Sequence, residues 1–295
     1  EESSELRILH KPAGRVWAGP SGRLCSITLE PADDRERSGF GTDDVTFPVD
    51  APEEVEAIGD RIRLVYAPYH RINAGRTALQ IEFTATLRGE ADVVLSYRVL
   101  QADPAWRVRS VAIVDDALPI AGDDDYAVLP VYQGEVVPVG SRFSYMPGDR
   151  SVSTRTSEVI GTYSGVSTWN MAMFALVQGP STAIITWDDP DVETGIRGEQ
   201  AGPGWQIRST VVLNREADAV RLHFMQNAGY VDVAKYYRGV AKARGLFDTL
   251  AEKIERMPEL EKNVGALRFT VGPKWGRSKG GGWVTFVEEG KSRID

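Results

Sequence analysis

The sequence is poorest in cysteine, which occurs once among 295 residues, at Cys25. A single thiol excludes an intramolecular disulfide and any metal site built from several cysteines. The chain also lacks a run that approaches the roughly 18 consecutive apolar residues of a membrane-spanning helix. These absences predict a protein without a disulfide framework, a cysteine-bound metal or a membrane partner.

Positive charge is scarce as well. Lysine and arginine number 34 against 42 acidic residues, the formal net charge is −8, and no segment concentrates the basic residues. Because binding to a phosphate backbone needs a basic face, the sequence predicts no nucleic-acid partner and favours a neutral or small-molecule one. The first five residues lack the basic and then apolar stretches of a signal peptide, so export is left open.

What the sequence has in abundance is alternation of apolar and polar residues. Between about Arg15 and Phe224, short runs of this kind are separated by Gly, Pro, Asp and Asn. In Leu79 to Leu87 every odd position is apolar and most even positions are polar, as in a strand with one solvated face. Further runs are Arg61 to Tyr66, Val93 to Leu100, Trp106 to Val114, Thr182 to Trp187, Trp205 to Leu213 and Val220 to Met225. Residues 1–226 are therefore predicted to form one large antiparallel β-sandwich with a single core.

The pattern changes to a helical one in residues 227–265. Asp232 is a candidate N-cap and Gly245 a candidate terminator of a first helix. Thr249 and Glu252 have the spacing of a capping box for a second helix, which Pro258 ends. The apolar residues of the second helix that we expect to be buried are Leu250, Ile254 and Met257.

Residues 266–295 are predicted to form a truncated β-α unit. An alternating run begins at Ala266 and ends in the loop that contains Lys274 and Trp275. After three glycines, the segment from Thr285 to Lys291 is interpreted as the beginning of a helix. A lone strand with a partial helix cannot bury both faces of a parallel sheet, so we expect further chain downstream.

Several segments resemble those of a known family. The linker residues are Tyr236-Tyr237-Arg238, Gly245 to Ile254, Pro258 and Gly265-Ala266, and the sandwich residues are Leu129 to Glu135, Met171 to Leu176 and Ile184 to Asp189. Together they resemble the corresponding parts of bacterial glycosidases of the endo-α-N-acetylgalactosaminidase group.

This resemblance implies a galactose-mutarotase-like β-sandwich, followed by the helical linker and a catalytic (β/α)8 barrel. It implies that Leu267 to Trp275 is the first barrel strand. It also implies that the catalytic carboxylates lie on later strands, so no residue of this chain is assigned a catalytic role.

The candidate substrate-binding residues are Lys274, Trp275 and Arg277. They follow the expected barrel strand, and (β/α)8 enzymes hold their substrates at the carboxyl ends of the strands. The alternative is that this loop packs against the sandwich. Of the other tryptophans, Trp106, Trp187 and Trp205 lie in strand patterns and are expected to pack, whereas Trp17, Trp169 and Trp283 lie near loops and are freer to meet a sugar.

Acidic clusters and histidines offer further candidates for chemistry. Asp123 to Asp125 and Asp188 to Asp191 lack the spacing of a calcium loop, so solvated turns are favoured over a calcium or sugar site and no cofactor is expected. A mutarotase-type reaction needs a histidine and a glutamate as acid and base. No glutamate is tied by spacing to His10, His70 or His223, so structural roles are favoured for all of them.

Three functions remain open on the sequence. The first is the non-catalytic front part of a glycoside hydrolase, with a carbohydrate substrate and a downstream catalytic barrel as partners. The second is a carbohydrate-binding module, and the third is a stand-alone aldose epimerase. A histidine paired with a glutamate in a cleft favours the third, and aromatic residues clustered on one concave sheet favour the second.

Overall fold

The computed structural model describes residues 5–23, 25–32, 45–48, 52–67, 69–70, 75–76, 78–115, 118–130, 134–139, 157–164, 171–188, 192–201, 204–214, 216, 218–264, 286–288 and 291–293. The chain divides into two compact units, Glu1–Tyr237 and Arg238–Asp295. The division falls inside a helix, eleven residues after the 1–226 boundary that the sequence suggested.

The first unit is almost entirely β. Its strands are β1 (Glu5–His10), β2 (Arg15–Arg23), β3 (Cys25–Pro31), β4 (Val45–Pro48), β5 (Glu54–Ile58), β6 (Arg61–Tyr66), β7 (Tyr69–His70), β8 (Gly75–Arg76), β9 (Gln80–Arg88), β10 (Asp92–Gln101), β11 (Trp106–Ile113), β12 (Tyr126–Leu129), β13 (Glu135–Pro138), β14 (Ser157–Ser164), β15 (Met173–Gln178), β16 (Ser181–Trp187), β17 (Glu193–Ala201), β18 (Gly204–Leu213) and β19 (Ala219–Gln226).

Most of these strands belong to two antiparallel sheets. The large sheet has the order β13-β12-β15-β16-β19-β10-β9-β6-β5, and the small sheet has the order β14-β17-β18-β11-β3-β4. One hydrophobic core joins them among the described residues, with Phe83 and Leu222 from the large sheet and Ile27 and Val211 from the small one. The antiparallel β-sandwich with a single core is therefore confirmed.

Period-two alternation determines which side chains enter this core. In β19, Val220, Leu222 and Phe224 are buried, whereas Arg221 between them is exposed. β16 departs from alternation, because all seven of its residues are buried. This strand lies in the middle of the large sheet, where both faces are covered.

Cys25 lies at the start of β3 and is completely buried. Its burial raises the pKa of the thiol well above the ordinary value, and the negative charge of Asp115 adds to that effect. The thiol is therefore protonated and enclosed in the folded protein.

One buried hydroxyl group links both strands of the hairpin β1–β2 to the large sheet. Ser181 Oγ at the start of β16 lies 2.7 Å from His10 Nδ1 and accepts a hydrogen bond of 2.9 Å from Trp17 Nε1. The rings of His10 and Trp17 also lie close to Phe224. The expectation that Trp17 is free to meet a ligand was wrong, since only 1% of it is exposed.

A helix, α1 (Tyr230–Ala243), follows β19 after a short turn. Asp232 lies inside the first turn of α1 rather than at the N-cap, and its carboxylate accepts the N–H of Gly229 at 3.2 Å. Gly229 supplies the carbonyl that begins the helical hydrogen bonds. The predicted terminator is confirmed: Gly245 has φ 68°, in the left-handed region that favours glycine.

The second unit contains α2 (Leu250–Arg256), which begins with the predicted capping box. Glu252 N–H donates to Thr249 Oγ1 at 3.2 Å, and Thr249 N–H donates to the Glu252 carboxylate at 2.5 Å. The predicted burial of Leu250, Ile254 and Met257 was wrong for this chain, because Leu250 is 56% exposed, Met257 is 57% exposed and Ile254 is only partly buried. No helix among the described residues is long and apolar enough to cross a membrane.

The helix predicted over Thr285 to Lys291 was also wrong. Strand β20 (Phe286–Glu288) pairs antiparallel with β21 (Lys291–Arg293) in this part of the chain. The aromatic and β-branched residues of β20, Phe286 and Val287, favour a strand. The barrel strand predicted at Leu267 to Trp275 lies outside the described residues.

We predict that Ser181→Ala lowers the free energy of unfolding by about 2 kcal/mol, because it leaves the buried indole N–H of Trp17 and the ring of His10 without their partner. Urea denaturation measures the loss. The control is Thr46→Ala, which removes an exposed hydroxyl pair with Thr28 and should change stability by less than about 0.5 kcal/mol. Equal effects of the two substitutions would contradict this role of Ser181.

Candidate functional site

The face of the large sheet that points away from the core is strongly polar along β6, β9 and β10. Ile81 and Phe83 of β9 enter the core, so Glu82 and Thr84 between and beyond them point to the opposite face. Cross-strand pairing places Arg98 of β10 directly opposite Glu82. The alternation that builds the core therefore also lines up polar groups on the other side of the sheet.

Glu82 is the centre of this polar face. Its side chain is only 4% exposed, and both carboxylate oxygens are bound by arginines. Arg63 Nε donates to Oε2 at 2.6 Å, Arg61 Nη2 donates to Oε1 at 3.1 Å, and Arg98 Nη2 lies 3.1 Å from Oε1 and 3.2 Å from Oε2. A buried carboxylate is thus fully compensated by charge-assisted hydrogen bonds.

The arginines keep this carboxylate ionised. Burial alone would raise the pKa of Glu82, but the hydrogen bond from Arg63 and the charge of Arg98 outweigh burial and lower the pKa. Arg63 is itself balanced, because Glu54 lies 3.1 Å and Glu56 lies 3.6 Å from its Nη1. Arg61 and Arg98 have no second carboxylate among the described residues, so the positive charge they bring exceeds the negative charge of Glu82.

A cavity of about 490 Å³ opens beside Glu82, and we call it the arginine cavity. This volume lies within the range of about 300–1,000 Å³ that is typical of ligand pockets. Its lining residues are Asp60, Arg61, Glu82, Thr84, Thr86, Arg88, Ser96, Tyr97 and Arg98. The lining therefore combines three guanidinium groups, two carboxylates and the outward-facing hydroxyl groups of Thr84, Thr86 and Ser96.

The chemistry of the cavity fits binding better than hydrolysis. A glycosidase needs one protonated carboxylic acid beside an ionised carboxylate. The lowered pKa of Glu82 makes it a poor proton donor at neutral pH. The described residues of this face thus offer hydrogen-bond donors and positive charge rather than an acid–base pair.

A second polar group on the same sheet contains His223. Its Nδ1 lies 2.7 Å from Asp92 Oδ1, and its ring stacks on Tyr236 of α1 with centroids 4.1 Å apart. Its neighbours Leu222 and Phe224 are in the core, so His223 lies on the opposite face. These contacts attach α1 to the sheet and give the histidine a structural role.

His10 lies on the core side and is also held by structural contacts. Burial lowers its pKa, and the charge of His223 lowers it further. The partner of its ring is Ser181 and that of His223 is Asp92, so neither forms the histidine–glutamate pair of an epimerase. The side chain of His70 lies outside the described residues.

The predicted substrate-binding residues Lys274, Trp275 and Arg277 lie outside the described residues, and so do Trp169 and Trp283. Trp187 is buried, as predicted, and Trp106 packs against the core. The described lining of the arginine cavity contains none of these predicted residues.

The first acidic cluster forms a turn, but its last member is not solvated. Asp125 is buried and accepts the N–H groups of Gly122 at 2.8 Å and Gly179 at 3.0 Å. Asp188 is exposed. Within the described part of the chain, no group of three or more His, Cys, Asp or Glu residues is arranged to hold a metal ion.

Sequence reasoning missed the arginine cavity, although part of the signal was present. The polar positions of Leu79 to Leu87 include Glu82 and Thr84, and Arg61 and Arg63 alternate with apolar residues in the same way. What a single sequence does not give is the register that places Arg61, Arg63 and Arg98 around one carboxylate. The basic character of this face is local, in a protein with a net charge of −8.

We predict that Glu82→Gln lowers the free energy of unfolding by about 2 kcal/mol at pH 7, because the arginines lose their buried counter-charge. The folded pKa of Glu82 lies below its unfolded value, so its contribution is complete above about pH 4.3 and is lost as the pH falls through the folded pKa. The difference between wild type and variant should therefore shrink in acid.

Urea titrations at pH 7 and near pH 3 measure both effects. Glu54→Gln is the control, because Glu54 also contacts Arg63 but its side chain is 64% exposed. It should change stability by less than about 0.5 kcal/mol. A loss for Glu82→Gln that stays constant with pH would contradict the proposed electrostatic origin.

Comparison with solved structures gives a match to the α-N-acetylgalactosaminidase NagBb from Bifidobacterium bifidum, in a complex with GalNAc. The TM-score is 0.58, the sequence identity is 19%, and the match covers 85% of this chain and 38% of that chain. This chain thus spans well under half the length of the enzyme, and the two share a fold over that part.

A second match, to the Slr1438 protein from Synechocystis sp. PCC 6803, has a TM-score of 0.30 and 9% identity over 58% of this chain and 65% of that chain. No model of a known protein family matches the sequence. A search of curated proteins also gives no match. The match to NagBb alone therefore supports a glycosidase-like β-sandwich fold, and it does so at the level of structure only.

Proposed function

We propose that this chain is the non-catalytic front part of a glycoside hydrolase that acts on carbohydrate. In this proposal the galactose-mutarotase-like sandwich and the helical linker support a catalytic (β/α)8 barrel whose carboxylates lie downstream. Lys274, Trp275 and Arg277 would then contact substrate at the mouth of that barrel.

The observation that carries the proposal is the shared fold with part of an α-N-acetylgalactosaminidase. A fold alone does not define an activity, so the chemistry of the described residues has to agree with it. It does agree, because the clustered carboxylate Glu82 is held ionised by arginines and the described histidines have structural partners. A supporting role needs no acid–base pair in the sandwich.

Exposed apolar residues in and beside α2 give independent support. Leu250 is the first residue of α2 and Met257 directly follows its last residue, and both are more than half exposed, whereas Ile254 between them is partly buried. Leu246 and Val264 of the same unit are exposed as well. We propose that the catalytic barrel of the same protein covers these apolar side chains.

A carbohydrate-binding module is the second candidate, and the arginine cavity is the observation that favours it. Its volume and hydroxyl-rich lining are suited to a small saccharide. The exposed aromatic platform that would strengthen this alternative is absent from the described lining, where Tyr97 is buried. An aldose epimerase is less favoured, because no described histidine pairs with a glutamate.

We predict that the 295-residue chain alone hydrolyses no aryl glycoside, whereas the complete natural protein does. The test is a panel of nitrophenyl glycosides that includes α- and β-N-acetylgalactosaminides, with the two proteins at equal concentration. Saturable hydrolysis by the 295-residue chain would overturn the proposed supporting role. Absence of hydrolysis by both proteins across the panel would count against the glycosidase assignment.

We predict that Leu250→Asp leaves the stability of the 295-residue chain unchanged to within about 0.5 kcal/mol, because Leu250 is exposed there. In the complete protein the same substitution should cost about 2 kcal/mol or more, since it would bury a charge against the barrel. Thermal and urea unfolding of both proteins measure this. Glu255→Gln, on the exposed surface of α2, is the control. Equal effects of Leu250→Asp on the stability of both proteins would contradict the proposal that the barrel covers Leu250.

A further inference from the structure

The arginine cavity has more hydrogen-bond donors than the protein uses. A guanidinium carries five N–H groups. Arg98 bonds to Glu82 through Nη2 alone, and its side chain is 61% exposed. Arg61 also uses Nη2, for Glu82 and for Thr84 Oγ1 at 3.2 Å, while its Nε is enclosed and has no acceptor among the described residues.

The lining also has an excess of positive charge. The lining contains three arginines, Arg61, Arg88 and Arg98, but only two carboxylates, Asp60 and Glu82. Glu82 is already bound by arginines. Arg88 forms no ion pair with a described residue. An anion that entered beside Arg61 and Arg98 would meet unused N–H donors whose positive charge is not fully compensated.

The other residues that line the arginine cavity suit a polyhydroxylated molecule. Thr84, Thr86 and Ser96 place hydroxyl groups between the arginines, and these groups both donate and accept hydrogen bonds. From Glu82 to Arg88, β9 extends for about 20 Å, which is enough for two sugar rings. Tyr97 does not offer its ring as a stacking platform, since it contacts Phe83 in the core.

From this combination we propose that the arginine cavity binds an anionic saccharide, with the carboxylate or sulfate on Arg61 and Arg98 and the ring hydroxyls on Thr84, Thr86 and Ser96. The inference goes beyond the supporting role proposed above and does not depend on it. A sandwich that supports a barrel needs no such site, and a binding site here needs no barrel.

The test is a titration of the purified 295-residue chain at low ionic strength, with binding monitored by NMR chemical shifts or by calorimetry. The probes are digalacturonate, galactose 6-sulfate, the neutral disaccharide galactobiose, sodium acetate and sodium sulfate. We expect digalacturonate or galactose 6-sulfate to bind at least about tenfold more tightly than galactobiose and than the small anions. Which of the two binds distinguishes a carboxylate site from a sulfate site.

Arg98→Gln should weaken that binding by at least about tenfold. Arg63→Gln is the matched control, because Arg63 also bonds to Glu82 but does not line the cavity, and it should leave the affinity within about twofold. Arg88→Gln removes a lining charge without breaking a described ion pair, so it tests the site even if Arg98→Gln impairs folding. It should weaken binding of digalacturonate by more than Arg63→Gln does.

Equal affinity for galactobiose would overturn the proposed preference for anions. Equal affinity for acetate or sulfate would show a small-anion site and would also overturn it. The proposal would also be overturned if neither anionic saccharide bound, or if Arg98→Gln and Arg63→Gln weakened the binding equally. None of these outcomes depends on whether the complete protein hydrolyses glycosides, so failure here is distinguishable from failure of the proposed function.

Discussion

The burial of alternate side chains between two antiparallel sheets is the constraint on which the rest of the structure depends. Residues such as Phe83 and Leu222 from the large sheet meet Ile27 and Val211 from the small one in a single core. Because successive residues of a strand point to opposite faces, fixing the inner set also fixes the outer set. The position of Glu82 is thus decided by its neighbours Ile81 and Phe83.

The same constraint determines which polar side chains meet on the outer face of the large sheet. A buried carboxylate needs compensation, and arginines from strands on both sides of β9 provide it. The ion pairs also leave guanidinium groups oriented toward a cavity, with part of their donors unused. The same contacts that allow Glu82 to be buried therefore prepare a surface that is able to bind an anion.

Local patterns made much of the fold predictable. The alternation at Leu79 to Leu87 corresponds to β9, the run Arg61 to Tyr66 coincides with β6, and the capping box at Thr249 is formed. Strands without clear alternation were missed, among them β14, whose residues mix Gly, Ser and Thr. The burial of Trp17 was also missed, because it depends on a contact with Ser181, 164 residues away in the sequence. The arginine cavity was unpredictable for the same reason, since strand register is not encoded locally.

Because the single thiol of this protein is enclosed in the core, the reactivity of Cys25 reports on the opening of that core. Cys25 has no exposed surface, and its raised pKa disfavours the reactive thiolate in the folded state. An alkylating reagent therefore reacts when β3 separates from its neighbours, and the labelling rate follows the opening of the sandwich rather than the fraying of its surface. Because the chain has one cysteine, each labelled molecule records one opening event at one known place in the core.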